Sequence, residues 1–197
     1  MLEELNTDTQ DIEHIGLTCP TCQPTVTFSD SHRQRIVEHI SAHILYDPTV
    51  DRSTEPCGLC LRPAPLCKIF LKKTKGRMGN LAIDMKSSSC PNLTKFSLNV
   101  AAESTESSPC TNHPIICPHC TSSSPAVWSY TYRQHLLRFH PKVPMQRHRE
   151  LWTLSPIEKD GMRHIWRLRL KQPKARPRAQ RPSLMISETH RARLVIQ

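Results

Sequence analysis

The chain has 197 residues and a formal net charge of +10, yet only 37% of its residues are hydrophobic and 5% aromatic, and 17 prolines interrupt it. This composition favours several small modules over one large hydrophobic core. The nine cysteines are an odd number, no apolar run stands at the N-terminus, and no stretch approaches the ~18 apolar residues that span a bilayer. We therefore expect a soluble intracellular protein with reduced thiols, and neither a secreted disulfide framework nor a membrane protein.

The first predicted element is a Cys-Pro-Thr-Cys turn that holds Cys19 and Cys22. A helix is predicted over residues 33–44, because this stretch follows a Ser-Asp-Ser cap, lacks Pro and Gly, and repeats isoleucine at helical spacing. His39 and His43 lie one turn apart on this helix and could meet the two thiolates. Two thiolates and two imidazoles satisfy a tetrahedral zinc ion. The alternative is a plain amphipathic helix that happens to contain histidines.

The middle of the chain contains five further cysteines: Cys57, Cys60, Cys67, Cys90 and Cys110. A Cys-Gly-Leu-Cys turn supplies Cys57 and Cys60, and its glycine suits the tight turn that two thiolates need around a metal. Cys90 and Cys110 each lie beside a proline in a Ser-rich turn, so we predict that these two complete a four-Cys zinc site. Cys67 precedes a strand-like run and is interpreted as a buried or spare thiol, while His113 is an alternative fourth ligand. The competing interpretation is a linker with free cysteines.

A third Cys turn, at Cys117 and Cys120, is followed by a predicted helix over residues 133–139. His135 and His140 are its candidate ligands, and Trp128 and Tyr132 are the predicted packing aromatics. Four residues separate the two histidines, which exceeds one α-turn. The last turn must therefore tighten or unwind to bring both imidazoles to one ion.

The C-terminal segment carries two competing patterns. Ser155-Pro156-Ile157-Glu158 predicts a helix start with a capping box. Residues 166–171 alternate apolar and basic side chains, which is a strand pattern. Residues 171–182 then alternate basic residues with prolines, as in a nuclear-import sequence or a minor-groove arm, although a disordered tail would have the same composition.

Charge is distributed unevenly. Residues 1–56 carry 3 basic and 10 acidic side chains (net −7), residues 57–116 carry 8 and 3 (net +5), and residues 117–197 carry 16 and 4 (net +12). The basic end would attract polyanions by neutralising phosphates, which gives affinity without sequence information.

Both Cys/His segments resemble C2H2-type zinc fingers, which implies a ββα fold around structural zinc. The implied ligands are Cys19, Cys22, His39 and His43 in one finger, and Cys117, Cys120, His135 and His140 in the other. The spacers between the second Cys and the first His are sixteen and fourteen residues here, against about twelve in the family. Counting back from the first His to the base-reading positions of the family gives His32, Arg35 and Glu38, then Trp128, Thr131 and Gln134. A tryptophan suits a core better than a groove, so we assign no base contacts.

The overall layout is similar to that of uncharacterised fungal zinc-finger proteins. We expect small metal-stapled α+β modules, with two ββα-like fingers flanking a Cys-rich middle segment and a partly disordered basic tail. The predicted segments are an acidic N-terminal segment (1–14), a first finger (15–48), the middle module (57–113), a second finger (114–142) and a basic segment with a Pro/Arg-rich tail (143–197).

The motifs favour binding over catalysis. The chain has no Gly-rich phosphate loop and no His-Glu-x-x-His, and each zinc site would have four protein ligands, which leaves no position for a reactive water. We expect a nuclear protein that binds nucleic acid, DNA in the first instance, and no membrane or small-molecule substrate. The alternative is a zinc-stabilised module that binds another protein.

Overall fold

The computed structural model describes residues 17–29, 33–74 and 80–171. This part of the chain forms a small α+β structure of short hairpins and helices. The predictions for the acidic segment 1–14, for His32 and for the tail beyond residue 171 lie outside the described residues. Among the described helices, none combines the length and the apolarity that crossing a bilayer requires.

The described strands pair as three antiparallel two-stranded hairpins. They are β1 (Leu17–Thr18) with β2 (Thr27–Phe28), β3 (Leu71–Lys73) with β4 (Leu81–Ile83), and β5 (Pro114–Ile115) with β6 (Val127–Trp128). The α-helices in the described ranges are α1 (Arg33–Tyr46), α2 (Leu98–Ala101), α3 (Tyr132–Phe139) and α4 (Pro156–Leu168). Short 3-10 turns lie at Arg52–Thr54, Ser129–Thr131 and Met145–Leu151.

Helix α1 is the centre of the structure. Its buried residues lie on nearly every side of the helix: Ile36, Val37, His39, Ile40, Ser41, Ala42, His43 and Ile44. Arg52 completes its C-terminal end, because the guanidinium donates to the backbone carbonyls of Ile44 and Leu45 and so satisfies groups that have no partner within a helix.

The predicted segments share one interior. The largest buried cluster contains Ile40 of α1, Leu59 of the middle segment, Trp128 of β6 and Met162 of α4. A smaller cluster surrounds Tyr132 on α3. The expectation of small separate cores, which composition suggested, therefore differs from the structure, in which the modules bury apolar surface against one another.

Buried asparagines join segments that are distant in sequence. The Asn92 amide donates to the carbonyls of Thr18 and Leu59, at 2.7 and 2.8 Å, and so ties β1 to the middle segment. The Asn112 amide donates to the Ser41 hydroxyl on α1 at 2.8 Å. These bonds tie the first hairpin to the Cys57–Cys60 turn, and the segment before β5 to α1.

Helix α4 resolves the two patterns of the C-terminal segment. Ser155 caps the helix by accepting from the Glu158 N–H at 3.1 Å, as the capping box predicts. The strand interpretation of the alternating residues is wrong, since the helix continues to Leu168. Two of the alternating residues contact each other at the end of the helix, where the Arg169 guanidinium lies 3.5 Å from the centre of the Trp166 ring.

Candidate metal centres

Three groups of four Cys and His side chains converge in the described residues. The ligand atoms of each group all lie within 4.8 Å of one another, and all nine cysteines are free. We call them the first centre (Cys19, Cys22, His39, His43), the middle centre (Cys57, Cys60, Cys67, Cys90) and the last centre (Cys117, Cys120, His135, His140). Each could hold a metal ion.

The first centre lies between the β1–β2 hairpin and α1. The hairpin presents its two thiols in the turn between the strands, and α1 presents His39 and His43 from successive turns. The Cys22 sulfur lies 3.3 Å from Nε2 of His39 and 3.2 Å from Nε2 of His43, and the Cys19 sulfur lies 3.5 Å from the latter. With zinc bonds of about 2.3 Å to sulfur and about 2.05 Å to nitrogen, a tetrahedron has S···N edges of about 3.6 Å. The donors thus fit a tetrahedral ion.

Charge in the first centre is arranged for a cation. Burial alone would raise the pKa of the Cys19 thiol, but hydrogen bonds with His39 and His43 lower it to about 4. Burial, reinforced by the charge on Cys19, raises the pKa of Cys22 to about 12. A divalent cation would stabilise both thiolates together, so its binding would release protons.

Asp47 orients one imidazole of the first centre. Its Oδ2 lies 2.8 Å from Nδ1 of His43, and its Oδ1 accepts from the backbone and hydroxyl of Thr49. A carboxylate on the ring nitrogen that faces away from the metal fixes the tautomer that a metal needs. The i,i+4 spacing from His43 was a signal in the sequence, although the ligand pattern did not include it.

Helix α4 covers the first centre. The Trp166 ring stands edge-on to His43, with 5.1 Å between the centroids. Tyr46 at the end of α1 donates to the Lys159 carbonyl at 3.0 Å, which anchors α4 against α1. Gly161 allows the other side of α4 to approach Pro109, since an added Cβ would lie 2.5 Å from the Pro109 Cβ. The C-terminal segment is therefore part of the surroundings of the first centre.

The middle centre contains Cys67 where the sequence predicted Cys110. The Cys57 and Cys90 sulfurs are 3.9 Å apart, and those of Cys60 and Cys67 are 3.6 Å apart. A zinc tetrahedron has S···S edges of about 3.8 Å, whereas a disulfide bond is about 2.05 Å long. Four thiols at these separations suit a metal ion.

A backbone pairing explains why Cys67 joins this centre. Lys68 and Ser89 form an antiparallel bridge, with N–H···O distances of 3.2 and 2.8 Å. Since the bridged residues are the neighbours of Cys67 and Cys90, the pairing sets these two cysteines side by side. The strand-like run after Cys67 was the available signal, but its partner strand could not be read from sequence.

Electrostatic coupling links the four thiols of the middle centre. Hydrogen bonds with Cys57 and its neighbours lower the pKa of Cys60, whereas burial raises the pKa of Cys57. The backbone N–H of Leu59 also points at the Cys57 sulfur, at 3.5 Å. The four thiols therefore do not titrate independently of one another.

Cys110 is buried elsewhere, in the shared interior. Burial raises its pKa to about 12, and the backbone N–H of Asn112 lies 3.4 Å from its sulfur. His113, the alternative ligand, uses Nδ1 to donate to the Thr111 carbonyl at 2.8 Å. Neither residue belongs to a metal-competent group among the described residues.

The last centre repeats the hairpin-and-helix arrangement. The Cys120 sulfur lies 3.3 Å from Nε2 of His135 and 3.1 Å from Nε2 of His140. Helix α3 ends at Phe139, and His140 has φ −134° and ψ 52°, outside the helical region. The last turn thus unwinds, as the spacing of the two histidines requires. The Tyr132 hydroxyl donates to the Cys117 sulfur at 3.5 Å.

A carboxylate from another segment supports the last centre. Oε2 of Glu55 lies 3.1 Å from Nδ1 of His135. Burial would lower the pKa of His135, but the hydrogen bond to Glu55 raises it. Glu55 is 80 residues away in sequence, so no local pattern could have identified it.

An apolar groove separates the middle and last centres. Its volume is about 550 Å³, and Ile69, Val127 and Phe139 line it together with the basic side chains of Lys68 and Arg138. Ile69 pairs with Ala126 through an antiparallel bridge, which joins the two centres along the groove. Phe139 is 54% exposed.

Two of the five described helix positions that a C2H2 finger uses to contact bases are buried, and Glu38 and Gln134 are half-buried. The Glu38 carboxylate accepts from the Ser108 hydroxyl at 2.7 Å. Trp128 and Thr131 are buried. Arg35, by contrast, is exposed.

Comparisons with protein-family models, with curated proteins and with solved structures found no match to this chain.

Proposed function

We propose that this chain is a zinc-stabilised binding protein with three structural zinc ions, and not an enzyme. The observation that carries the proposal is the convergence of three separate sets of four donors, at separations that fit a zinc tetrahedron. Four protein ligands per ion leave no coordination position for a reactive water. In this proposal the first and last centres are ββα zinc fingers, each with a Cys-bearing hairpin followed by a His-bearing helix.

Zinc is favoured over other metals by the donor set. Thiolates and imidazoles in tetrahedral groups suit zinc, whereas magnesium and calcium prefer oxygen ligands. The carboxylates Asp47 and Glu55 contact histidine Nδ1 atoms, so they would act from outside the coordination sphere.

The proposed partner is nucleic acid, and DNA in the nucleus is the first candidate. Support comes from residues 133–150, where five basic side chains are exposed: Arg133, Arg138, Lys142, Arg147 and Arg149. Only one acidic residue, Glu150, lies in the same stretch. Because α1 is buried on nearly every side, the proposed binding uses phosphate contacts and does not require α1 to enter a groove.

A peptide-binding role is the second candidate, and the groove between the middle and last centres favours it. Its apolar walls and the exposed Phe139 would take apolar side chains, and Lys68 and Arg138 would pair with carboxylates of the peptide. In this alternative the zinc ions hold the two walls of the groove in place.

Native mass spectrometry of the reduced full-length chain tests the zinc proposal. We expect three ions in the wild-type protein, two in Cys67→Ser and three in the matched control Cys110→Ser. No bound zinc would refute the proposal. Loss of an ion from Cys110→Ser with three retained by Cys67→Ser would refute the composition of the middle centre.

Fluorescence anisotropy with a labelled 20-base-pair DNA duplex of mixed sequence tests the nucleic-acid proposal. The affinity should fall steeply with salt. The logarithm of the association constant should decrease with the logarithm of the salt concentration, with a slope of about −0.9 for each phosphate contact. Neutralising Arg133, Arg147 and Arg149 with glutamine should reduce that slope by about 3 if each contacts one phosphate. A chain truncated after residue 171 shows how much of the affinity comes from the described basic residues and how much from the tail. A duplex that fails to bind at low salt would reject the proposal and leave the groove as the candidate surface.

A further inference from the structure

Glu55 holds a ligand of the last centre although it belongs to another part of the chain. Its Oε2 lies 3.1 Å from Nδ1 of His135, and both side chains are more than nine-tenths buried. Nε2 of the same imidazole lies 3.3 Å from the Cys120 sulfur, so Nε2 faces the donors. An imidazole that offers Nε2 to a metal carries its proton on Nδ1, and Glu55 is placed to accept it.

Glu55 lies beside a ligand of the middle centre. Glu55 lies two residues before Cys57, and the Cys57 N–H donates to the Arg62 carbonyl at 2.9 Å. Glu55 itself has φ 54° and ψ 61°, in the left-handed region, and its N–H donates to the Arg52 carbonyl. A residue that is not glycine adopts this conformation only where its surroundings hold it there. Ligation of Cys57 would order one end of this short segment.

The first centre takes its carboxylate from its own stretch of chain. Its carboxylate, Asp47, lies one turn beyond His43 on the same stretch of chain and contacts Nδ1 at 2.8 Å. The two centres with the same donor set therefore obtain their carboxylates in different ways: one from within, and one from the segment that leads into the middle centre.

We propose that Glu55 is a positioning residue that couples zinc binding at the last centre to zinc binding at the middle centre. The inference rests on the proposed function, namely zinc at all three centres. An ion in the middle centre fixes the segment that carries Glu55, which in turn holds His135 in its ligating tautomer and orientation. Coupling of binding free energies is reciprocal, so an ion in the last centre also favours loading of the middle centre.

Competition with a zinc chelator, followed by native mass spectrometry of the full chain, measures the coupling. Glu55→Gln keeps the size of the side chain and removes its charge. We expect Glu55→Gln to bind one of its three ions about 10–100-fold more weakly than the wild-type protein does. The matched control Asp47→Asn should also weaken one ion, through a carboxylate that does not lie beside a ligand of the middle centre.

A double-mutant cycle identifies the route of the effect. Cys90→Ser removes a ligand of the middle centre at a point far in sequence from Glu55. In the wild-type background it should abolish the middle ion and weaken the last one. In the Glu55→Gln background it should not weaken the last ion further.

The outcomes separate the coupling from the proposed function. If the wild-type chain binds three ions and Glu55→Gln retains all three with unchanged affinity, the coupling is refuted and the zinc proposal stands. If the wild-type chain binds no zinc, the proposed function itself fails.

A measurement on the unmodified chain guards against misfolded variants. In the zinc-loaded wild-type protein, the His135 ring proton on Nδ1 should give a slowly exchanging NMR resonance, because it is buried and faces the Glu55 carboxylate. A rapidly exchanging or absent resonance in the wild-type protein counts against the coupling.

Discussion

Substitution of Gly58 by alanine should disturb the middle centre through a residue that is not a ligand. Gly58 lies between Cys57 and Cys60, and the Trp128 indole packs directly against it. A Cβ added at this position would lie 2.4 Å from Cε3 of Trp128 and 2.7 Å from Cδ2 and Cζ3. Ordinary contacts of a Cβ begin near 3.4 Å, so one of the two partners must move by roughly 1 Å to restore normal packing.

Neither partner can move freely. Trp128 is 4% exposed and stacks on Phe96, with 6.3 Å between ring centroids. On the other side, the turn is closed by the hydrogen bond from the Leu61 N–H to the Cys57 carbonyl, at 3.0 Å. Overpacking of this kind costs about 1–3 kcal/mol. We expect Gly58→Ala to lower the free energy of unfolding by that amount and to weaken zinc binding at the middle centre.

Denaturant unfolding followed by circular dichroism, at a fixed buffered concentration of free zinc, measures the loss. Trp128→Leu provides the control, because it removes the indole that the new methyl group would strike. The cost of Gly58→Ala should therefore be smaller in the Trp128→Leu background. Equal costs in both backgrounds, within about 0.5 kcal/mol, would refute the steric reasoning.

Three further outcomes are expected. Glu158→Ala should lower the free energy of unfolding by about 3 kcal/mol, because the buried carboxylate accepts hydrogen bonds from the Thr111 N–H at 2.8 Å and from the Tyr130 hydroxyl. Glu158→Gln should lose less. A denaturation midpoint of Glu158→Ala equal to that of the wild-type protein would contradict this role. A strong chelator should abolish most of the helical circular-dichroism signal, since the three centres staple the short elements; retained helicity would mean that the shared core suffices without metal. Acidification should release the ions progressively, because protons compete with the metal for thiolates and imidazoles, and a zinc content unchanged down to about pH 4 would argue against thiolate ligation.

Sequence reasoning located the donors wherever local spacing determined their position. Cys19 and Cys22 share a turn, and His39 and His43 share a helix face, so the structure brings together four residues that the sequence already grouped. The middle centre was predicted only in part, because the bridge between Lys68 and Ser89 is a non-local pairing. Proline-flanked turns pointed to Cys110, which lies in the shared interior away from the other cysteines of the middle segment.

The helix–strand ambiguity of α4 had a similar origin. The cap at Ser155 is a local signal and predicted the helix start correctly. The alternating residues that follow suggested a strand. In the structure Trp166 instead packs against His43 on one side and contacts the Arg169 guanidinium, and sequence alone does not show these contacts. Gly161, an unfavourable residue within a helix, allows α4 to contact Pro109. Tertiary contacts of this kind override local propensity.

The packing of α4 against α1 also constrains how the chain can be made. Helix α1 ends at Tyr46 and α4 begins at Pro156, so synthesis must proceed through the residues between them before α1 can be covered. At about 5–20 residues per second, this interval lasts roughly 5–20 s. During that time the isoleucines of α1 have no α4 to pack against. Under the proposed function, an ion in the first centre would tie α1 to the β1–β2 hairpin before α4 is made, so zinc supplied during synthesis should raise the yield of folded protein.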